Sequence, residues 1–136
     1  KSICQGLALY SGAKVFSIPT FVPYLINDLE KPAEILLSYK FSAERYFYQL
    51  FQIKNKLIEK KTIVAVEEIS TIYSFFKKYK KKNKNLYLIT DDKKIKNFFK
   101  GATKFYKVTA KDLAKSFFNG FGDERLEIFY HNAYYD

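Results

Sequence analysis

Apolar residues recur along this chain with two different periods, and the switches between them predict its elements. Ile3, Leu7 and Tyr10 stand at i, i+4 and i+7, the spacing that gathers apolar groups on one helical face. Gly12 is placed to end that helix, and Val15-Phe16-Ser17-Ile18 reads as a short apolar strand. Thr20 is an N-cap residue for a helix to about Leu29, with Pro23 tolerated in the first turn. Lys31-Pro32 then breaks the chain. Ala33 to Phe41 and Glu44 to Ile53 read as two strands joined by a turn at Ser42-Ala43. In the second, Tyr46, Tyr48 and Leu50 point one way while Phe47, Phe51 and Ile53 point the other. Both faces are apolar, which suits a strand covered on both sides.

Lys54-Asn55-Lys56 is the next turn, and Leu57 to Val66 begins extended. Glu67 is expected to open a helix through about Tyr79, in which Ile69, Ile72, Tyr73 and Phe76 follow i, i+3, i+4, i+7 spacing. Lys77 to Asn85 reads as a lysine-rich connection and Leu86 to Ile89 as a buried strand. Lys93 to Lys100 is a predicted helix with Ile95, Phe98 and Phe99 inward. Phe105 to Val108 is a further strand, and Thr109 caps a helix carrying Leu113, Ala114, Phe117 and Phe118. Asn119-Gly120-Phe121-Gly122 ends it, and Leu126 to Tyr130 supplies a last strand. Strands alternating with short helices, plus one hairpin, predict a single α/β domain over residues 1–136, with a mixed sheet layered with helices.

At 136 residues, folding buries roughly two-thirds of the unfolded chain's surface. The 14 Phe and 12 Tyr make the expected core rich in rings. No apolar run approaches the ~20 residues of a membrane-spanning helix, so no membrane partner is expected. The single Cys4 excludes an internal disulfide and favours a reducing cytoplasm. The formal charge of +10 invites a nucleic-acid reading, because lysine contacts to phosphate release counterions. Yet Arg45 and Arg125 are the only arginines, and specific phosphate and base recognition favours the guanidinium fork. A bias to Lys, Ile, Asn, Phe and Tyr is also what an AT-rich genome produces without selection for binding.

Candidate chemistry is sparse. His131 is the only histidine, so it cannot build a Cys/His metal cluster. With Cys4 or a serine it would form a nucleophile–base pair, but no orienting third group stands out, and a packing or surface role is plainer. Asp91-Asp92 follows a strand, where carboxylates often hold a metal or substrate. The plainer reading is a cap on the next helix, and Glu67-Glu68 is likewise explained by helix-end electrostatics. With 5 Gly and neither phosphate-cradling glycine motif, no nucleotide loop is predicted. Gly120-Phe121-Gly122 follows a helix instead of opening one. No catalytic, cofactor or metal residue is assigned.

Two surfaces remain as binding candidates. Lys77, Lys78, Lys80, Lys81, Lys82 and Lys84, with Lys93, Lys94, Lys96 and Lys100 nearby, interleave with Tyr79 and Tyr87. A phosphate-tracking surface with stacking rings has this composition, and so does a solvated helix end. On the expected opening helix, Lys1, Gln5 and Leu9 face away from the body, while Gly6 and Ala8 allow close approach by a partner helix.

Gln5-Gly6-Leu7-Ala8-Leu9, Gly12-Ala13-Lys14-Val15 and Ser17-Ile18-Pro19-Thr20 together resemble a segment of the TsaB (YeaZ) family, K-G-L-A-L-A-L-G-x-P-V-x-x-V-S-T/S-L. Tyr39-Lys40-Phe41-Ser42-Ala43-Glu44-Arg45-Tyr46 sits where that family has D-A-R-R-G-E-V-Y, and Glu44 and Tyr46 agree. Ala110-Lys111-Asp112-Leu113-Ala114 resembles its late A-x-x-L-A helix, and Leu126-Glu127-Ile128-Phe129-Tyr130 its closing L-E-P-x-Y-L-R. Tyr39 replaces the family Asp, Ala43 replaces the Gly, and the closing Arg is not kept. The family's first lobe, with its G-P-G-S-F-T-G turn, has no counterpart. Nothing before Lys1 caps the opening helix and there is no Met, so the chain is expected to be the later part of a longer protein or a shortened relative.

The resemblance implies the second lobe of the actin-like ATPase (ASKHA) fold. It implies a non-catalytic partner subunit in bacterial synthesis of threonylcarbamoyladenosine on tRNA. The opening helix would then pack against a TsaD-like catalytic subunit or a second copy of the chain. A TsaE-like ATPase is a further implied partner, with weak tRNA contact at most. In that fold ATP needs loops from both lobes, so one lobe would not enclose it. The rival expectations are a small basic RNA-binding module and, behind it, a hydrolase or nuclease using Asp91 and Asp92.

Overall fold

The computed structural model describes residues 6–11 and 14–121, with side chains over 18–121. The chain divides into two compact units, Lys1–Asn27 with Val108–Asp136, and Asp28–Lys107.

In the first unit β1 (Gly6–Ser11) and β2 (Lys14–Pro19) pair antiparallel, from Gly6↔Pro19 to Ser11↔Lys14. This corrects the expected opening helix. Gly6-Leu7-Ala8-Leu9 alternates small and large residues, while Leu7 and Tyr10 keep helical spacing, and pairing with β2 selects the strand. Gly6, Ala8 and Leu9 therefore lie on a strand, where helical spacing defines no common face. Lys1, Cys4, Gln5, Arg125, His131 and the strand expected at 126–130 lie outside the described residues. The helix α1 (Phe21–Leu25) continues into one 3-10 turn, Ile26–Asp28. Thr20 before it is already helical (φ −54°, ψ −36°), not extended as a side-chain cap would be.

The second unit is built on the hairpin of β3 (Ala33–Lys40) and β4 (Tyr46–Lys54), in register from Ala33↔Ile53 to Lys40↔Tyr46. A two-residue turn at Asn55 (φ 55°) and Lys56 (φ 61°) leads to β5 (Leu57–Lys60) on the outer side of β4. Two left-handed residues are what a tight hairpin needs to match the strand twist. β6 (Ala65–Glu67) pairs with the opposite end of β4, at Tyr46–Tyr48. Between β5 and β6, Thr62 takes over the ladder: its Oγ1 accepts from the Leu50 N–H at 3.1 Å, and its carbonyl accepts from Gln49 Nε2 at 2.7 Å. The helix α2 (Ile69–Lys82) leads to β7 (Tyr87–Thr90), parallel to β3. The helix α3 (Lys93–Phe99) leads to β8 (Thr103–Phe105), parallel to β7. The resulting order, β5-β4-β3-β7-β8 with β6 also on β4, is a mixed sheet in an α/β arrangement.

Leu36, Tyr46, Leu50 and Leu88 on one face of this sheet pack with Ile72 and Phe76 of α2 and Ile95 and Phe99 of α3. Edge-on rings join the two helices, Tyr73–Phe99 at 5.2 Å and Phe76–Phe99 at 5.4 Å. On the other face Phe47, Phe51 and Ile53 are buried too, as the alternation through β4 predicts.

Several boundaries differ from expectation. Glu67 closes β6, and Glu68 caps α2 through its carbonyl, which accepts from Thr71 N at 3.1 Å and Ile72 N at 3.2 Å. The helix starts two residues later than Glu67 and continues through Lys80–Lys82, because lysine is a good helix former; Asn83 stops it in an extended conformation. Phe98, expected inward, is 45% exposed, and Phe118 is 81% exposed. β8 lies two residues ahead of Phe105–Val108.

Returning to the first unit, α4 (Ala110–Ser116) packs on α1 and opens with a capping box. Thr109 N donates to Asp112 Oδ2 at 2.8 Å, and Asp112 N donates to Thr109 Oγ1 at 3.3 Å. Asp112 is buried and also accepts from Asn27 Nδ2 at 3.0 Å. A wide turn, Phe117–Phe121, ends the element with Gly120 at φ 88°, the left-handed stop expected there.

Candidate functional site

In sheets with helix-linked parallel strands, ligand-binding groups gather beyond the carboxyl ends of the strands. Here β3 and β7 place Ser38 beside Thr90 in register, so Tyr39 stands at the end of β3 and Asp91-Asp92 follows β7. Ser38 and Thr90 are buried and satisfied locally. Ser38 Oγ donates to the Phe47 carbonyl at 2.8 Å, Thr90 Oγ1 accepts from Asp92 N at 3.1 Å, and the Thr90 carbonyl accepts from Tyr106 N at 2.8 Å.

Asp92 is the N-cap of α3: its Oδ1 accepts from Lys94 N at 2.9 Å and Ile95 N at 3.1 Å. The helix-cap reading of this carboxylate is therefore the one the geometry bears out. Tyr39, standing where the TsaB pattern has Asp, packs its ring 5.1 Å from that of Phe47. Burial, and secondarily the Asp91 carboxylate, push its phenol up to about 12. A neutral ring thus stands near the Asp91 carboxylate. Glu67 is on another border of the sheet, where it adds to the burial that raises Tyr48. Among the described residues no group of three His, Cys, Asp or Glu is arranged to hold a metal.

The lysines sit on the helical layer. Lys77, Lys78, Lys80, Lys81 and Lys82 occupy the second half of α2, and Lys84 follows Asn83. Half-buried Lys80 is committed to the fold: its Nζ donates to the carbonyls of Lys84 and Leu86, both at 2.7 Å, where cations suit the helix end. Lys77 Nζ lies 5.4 Å from the Tyr73 ring centroid. Lys78, Lys81, Lys82 and Lys84 are exposed, as are Lys93, Lys94, Lys96 and Lys100 on and just beyond α3. Lys94 reaches Glu44 at 3.9 Å in an exposed pair.

The two tyrosines expected among these lysines are engaged elsewhere. Tyr79 stacks on Phe75 at 4.5 Å, and the Tyr87 phenol is pushed up to about 12 by burial, then by the charge and hydrogen bond of Asp28. The exposed ring is instead Phe98, edge-on to Tyr73 at 5.2 Å. On the opposite flank of α3, Lys96, Asn97, Lys100, Gly101 and Thr103 line an open cleft of about 440 Å³.

Charge is concentrated along the same stretch of sequence, in which Lys104 of β8 is paired with Asp28 at 2.9 Å. Between Lys77 and Lys107 lie 12 of the 24 basic residues but only Asp91 and Asp92 of the 14 acidic ones; the remaining 12 basic and 12 acidic residues cancel. Following the carboxylates by window, not the lysines alone, would have located this from sequence. No protein-family model, curated protein or solved structure matches the chain. No helix among the described residues is long and apolar enough to cross a membrane.

Proposed function

We propose that the chain is a non-catalytic partner subunit resembling the C-terminal lobe of the TsaB family, of actin-like ATPase architecture. It would hold a TsaD-like enzyme in the state that transfers a threonylcarbamoyl group to adenosine in tRNA. The supporting observation is that later resembling segments fall in order on elements, whereas residues 6–9 lie on β1 in place of the helix the resemblance implied. Lys14–Thr20 runs through β2 to the start of α1, Tyr39–Tyr46 forms the turn from β3 into β4, and Ala110–Ala114 opens α4. A helical interface at Lys1, Gln5, Gly6, Ala8 and Leu9 is no part of this reading, because Gly6, Ala8 and Leu9 are on β1.

The test is to mix the purified chain with a TsaD-like enzyme of the same organism, alone and with a TsaE-like ATPase. Complex formation is read by size-exclusion chromatography with light scattering, and threonylcarbamoyladenosine on tRNA by mass spectrometry. Co-elution with faster modification is expected. Separate elution with unchanged modification overturns the proposal, as does metal-dependent hydrolysis by the chain alone that Asp91→Asn abolishes.

A further inference from the structure

We propose that the outer surface of α2 and α3 binds single-stranded RNA, with phosphates on the lysines and a base on Phe98. This stands independently of any enzyme partner. Three observations carry it. The first is charge: the segment Lys77–Lys107 carries a net +10, and even with Lys104 paired to Asp28 at 2.9 Å and Lys80 held by carbonyls, lysines predominate on α2 and α3. A polyanion is the complementary partner of such a segment. Of the two acids in the segment, Asp92 is held by its helix cap.

The second is the ring. Phe98 is 45% exposed on a helix whose neighbours Ile95 and Phe99 are buried, and Tyr73 supports it from α2 with Lys77 beside that ring. An exposed aromatic among lysines suits an unstacked base, which a single strand offers and a duplex does not. Lysine in place of arginine fits backbone tracking without base-edge readout.

The third is the cleft across α3 from that ring. Lys96 and Lys100 border a space of about 440 Å³ that exposed Asn97 also lines, on the flank of α3 away from Phe98. Two ammonium groups suit a phosphodiester. The Asn97 amide both donates and accepts, as the 2′-hydroxyl of RNA does, so ribose is favoured over deoxyribose here. A strand crossing α3 would pass from this cleft to the Phe98 ring.

The experiment is fluorescence anisotropy of the full chain with a labelled RNA of about 10 nucleotides, the matching DNA, and heparin, across a salt series. RNA is expected to bind more tightly than DNA. Phe98→Leu is expected to weaken RNA binding roughly fivefold or more while leaving heparin unchanged, since heparin has no bases. Lys96→Gln with Lys100→Gln is expected to flatten the log–log salt slope by about 1.4, near 0.7 per lost phosphate contact. Lys54→Gln, outside the segment, is expected to change nothing. Circular dichroism reports folding, and the two exposed lysines keep the test decisive should Phe98→Leu unfold. Absence of binding at low salt overturns the proposal. DNA binding as tight as RNA overturns the assignment to RNA. A heparin-like response indifferent to Phe98→Leu overturns the stacking and leaves only polyanion attraction, which the proposal does not survive.

Discussion

Replacing Asp92 by alanine separates a structural carboxylate from a chemical one. The helix α3 has seven residues, Lys93–Phe99, and delivers Ile95 and Phe99 to the core. Its first turn leaves backbone N–H groups without helical partners, and Asp92 Oδ1 takes two of them, from Lys94 at 2.9 Å and Ile95 at 3.1 Å. Loss of such a cap costs about 1 kcal/mol, and loss of the negative charge at the helix's positive end roughly 0.5 kcal/mol more. Asp92→Ala should therefore destabilise by roughly 1.5 kcal/mol, a fall in Tm of about 5 °C for a chain of this size. Asp92→Asn keeps the accepting oxygen and loses only the charge, so it should cost about a third as much. Urea unfolding followed by circular dichroism measures both, with the m-value unchanged. The cap assignment fails if alanine is as stable as wild type, or if asparagine costs as much as alanine.

Other substitutions test neighbouring claims. Tyr39 and Tyr87 hold their protons to about 12 in the fold, against an ordinary 10.0, mainly because they are buried. The unfolded chain releases those protons first, so their stabilisation is complete below about pH 10 and is lost as pH rises towards 12. Urea midpoints between about pH 9 and 11.5 should fall less steeply in Tyr87→Phe than in wild type. Lys56→Gly should stabilise by about 0.5–1 kcal/mol in urea unfolding, because φ 61° strains a side chain and the solvated Lys56–Glu30 pair at 3.8 Å contributes little. Asp112→Ala should cost about 2–3 kcal/mol by the same assay, since it removes the cap of α4 and leaves the Asn27 amide without this acceptor.

The β3–β4 hairpin was legible because alternation through Tyr46–Ile53 names both faces of a doubly covered strand, and the burial follows it. The first element was not. Gly6-Leu7-Ala8-Leu9 alternates small and large residues while Leu7 and Tyr10 keep helical spacing, and a partner strand at Lys14–Pro19 decides between them. Glu67 was misplaced for a related reason: its pairing with Tyr46 lies 21 positions back along the chain and leaves no local mark. The lysine run looked like a connection because charge suggests solvent, yet lysine continues a helix readily. At the candidate surface, the lysines were plain in the sequence, but the ring beside them was not. Phe98 fits the apolar face of α3 by spacing, and only packing beside Tyr73 shows that it stays half in water.

The split border of β4 bears on how copies of the chain meet. A long straight outer strand is a template on which a foreign strand can extend the ladder, the first step towards fibrils. Here the outer neighbour changes from β5, four residues long, to β6, three residues long, with the Thr62 hydroxyl answering for the backbone between them. An incoming strand on that side would lose register within a few residues. Self-association there must rely on side-chain surfaces, which selection can tune to a chosen companion, instead of on backbone templating, which accepts almost any sequence.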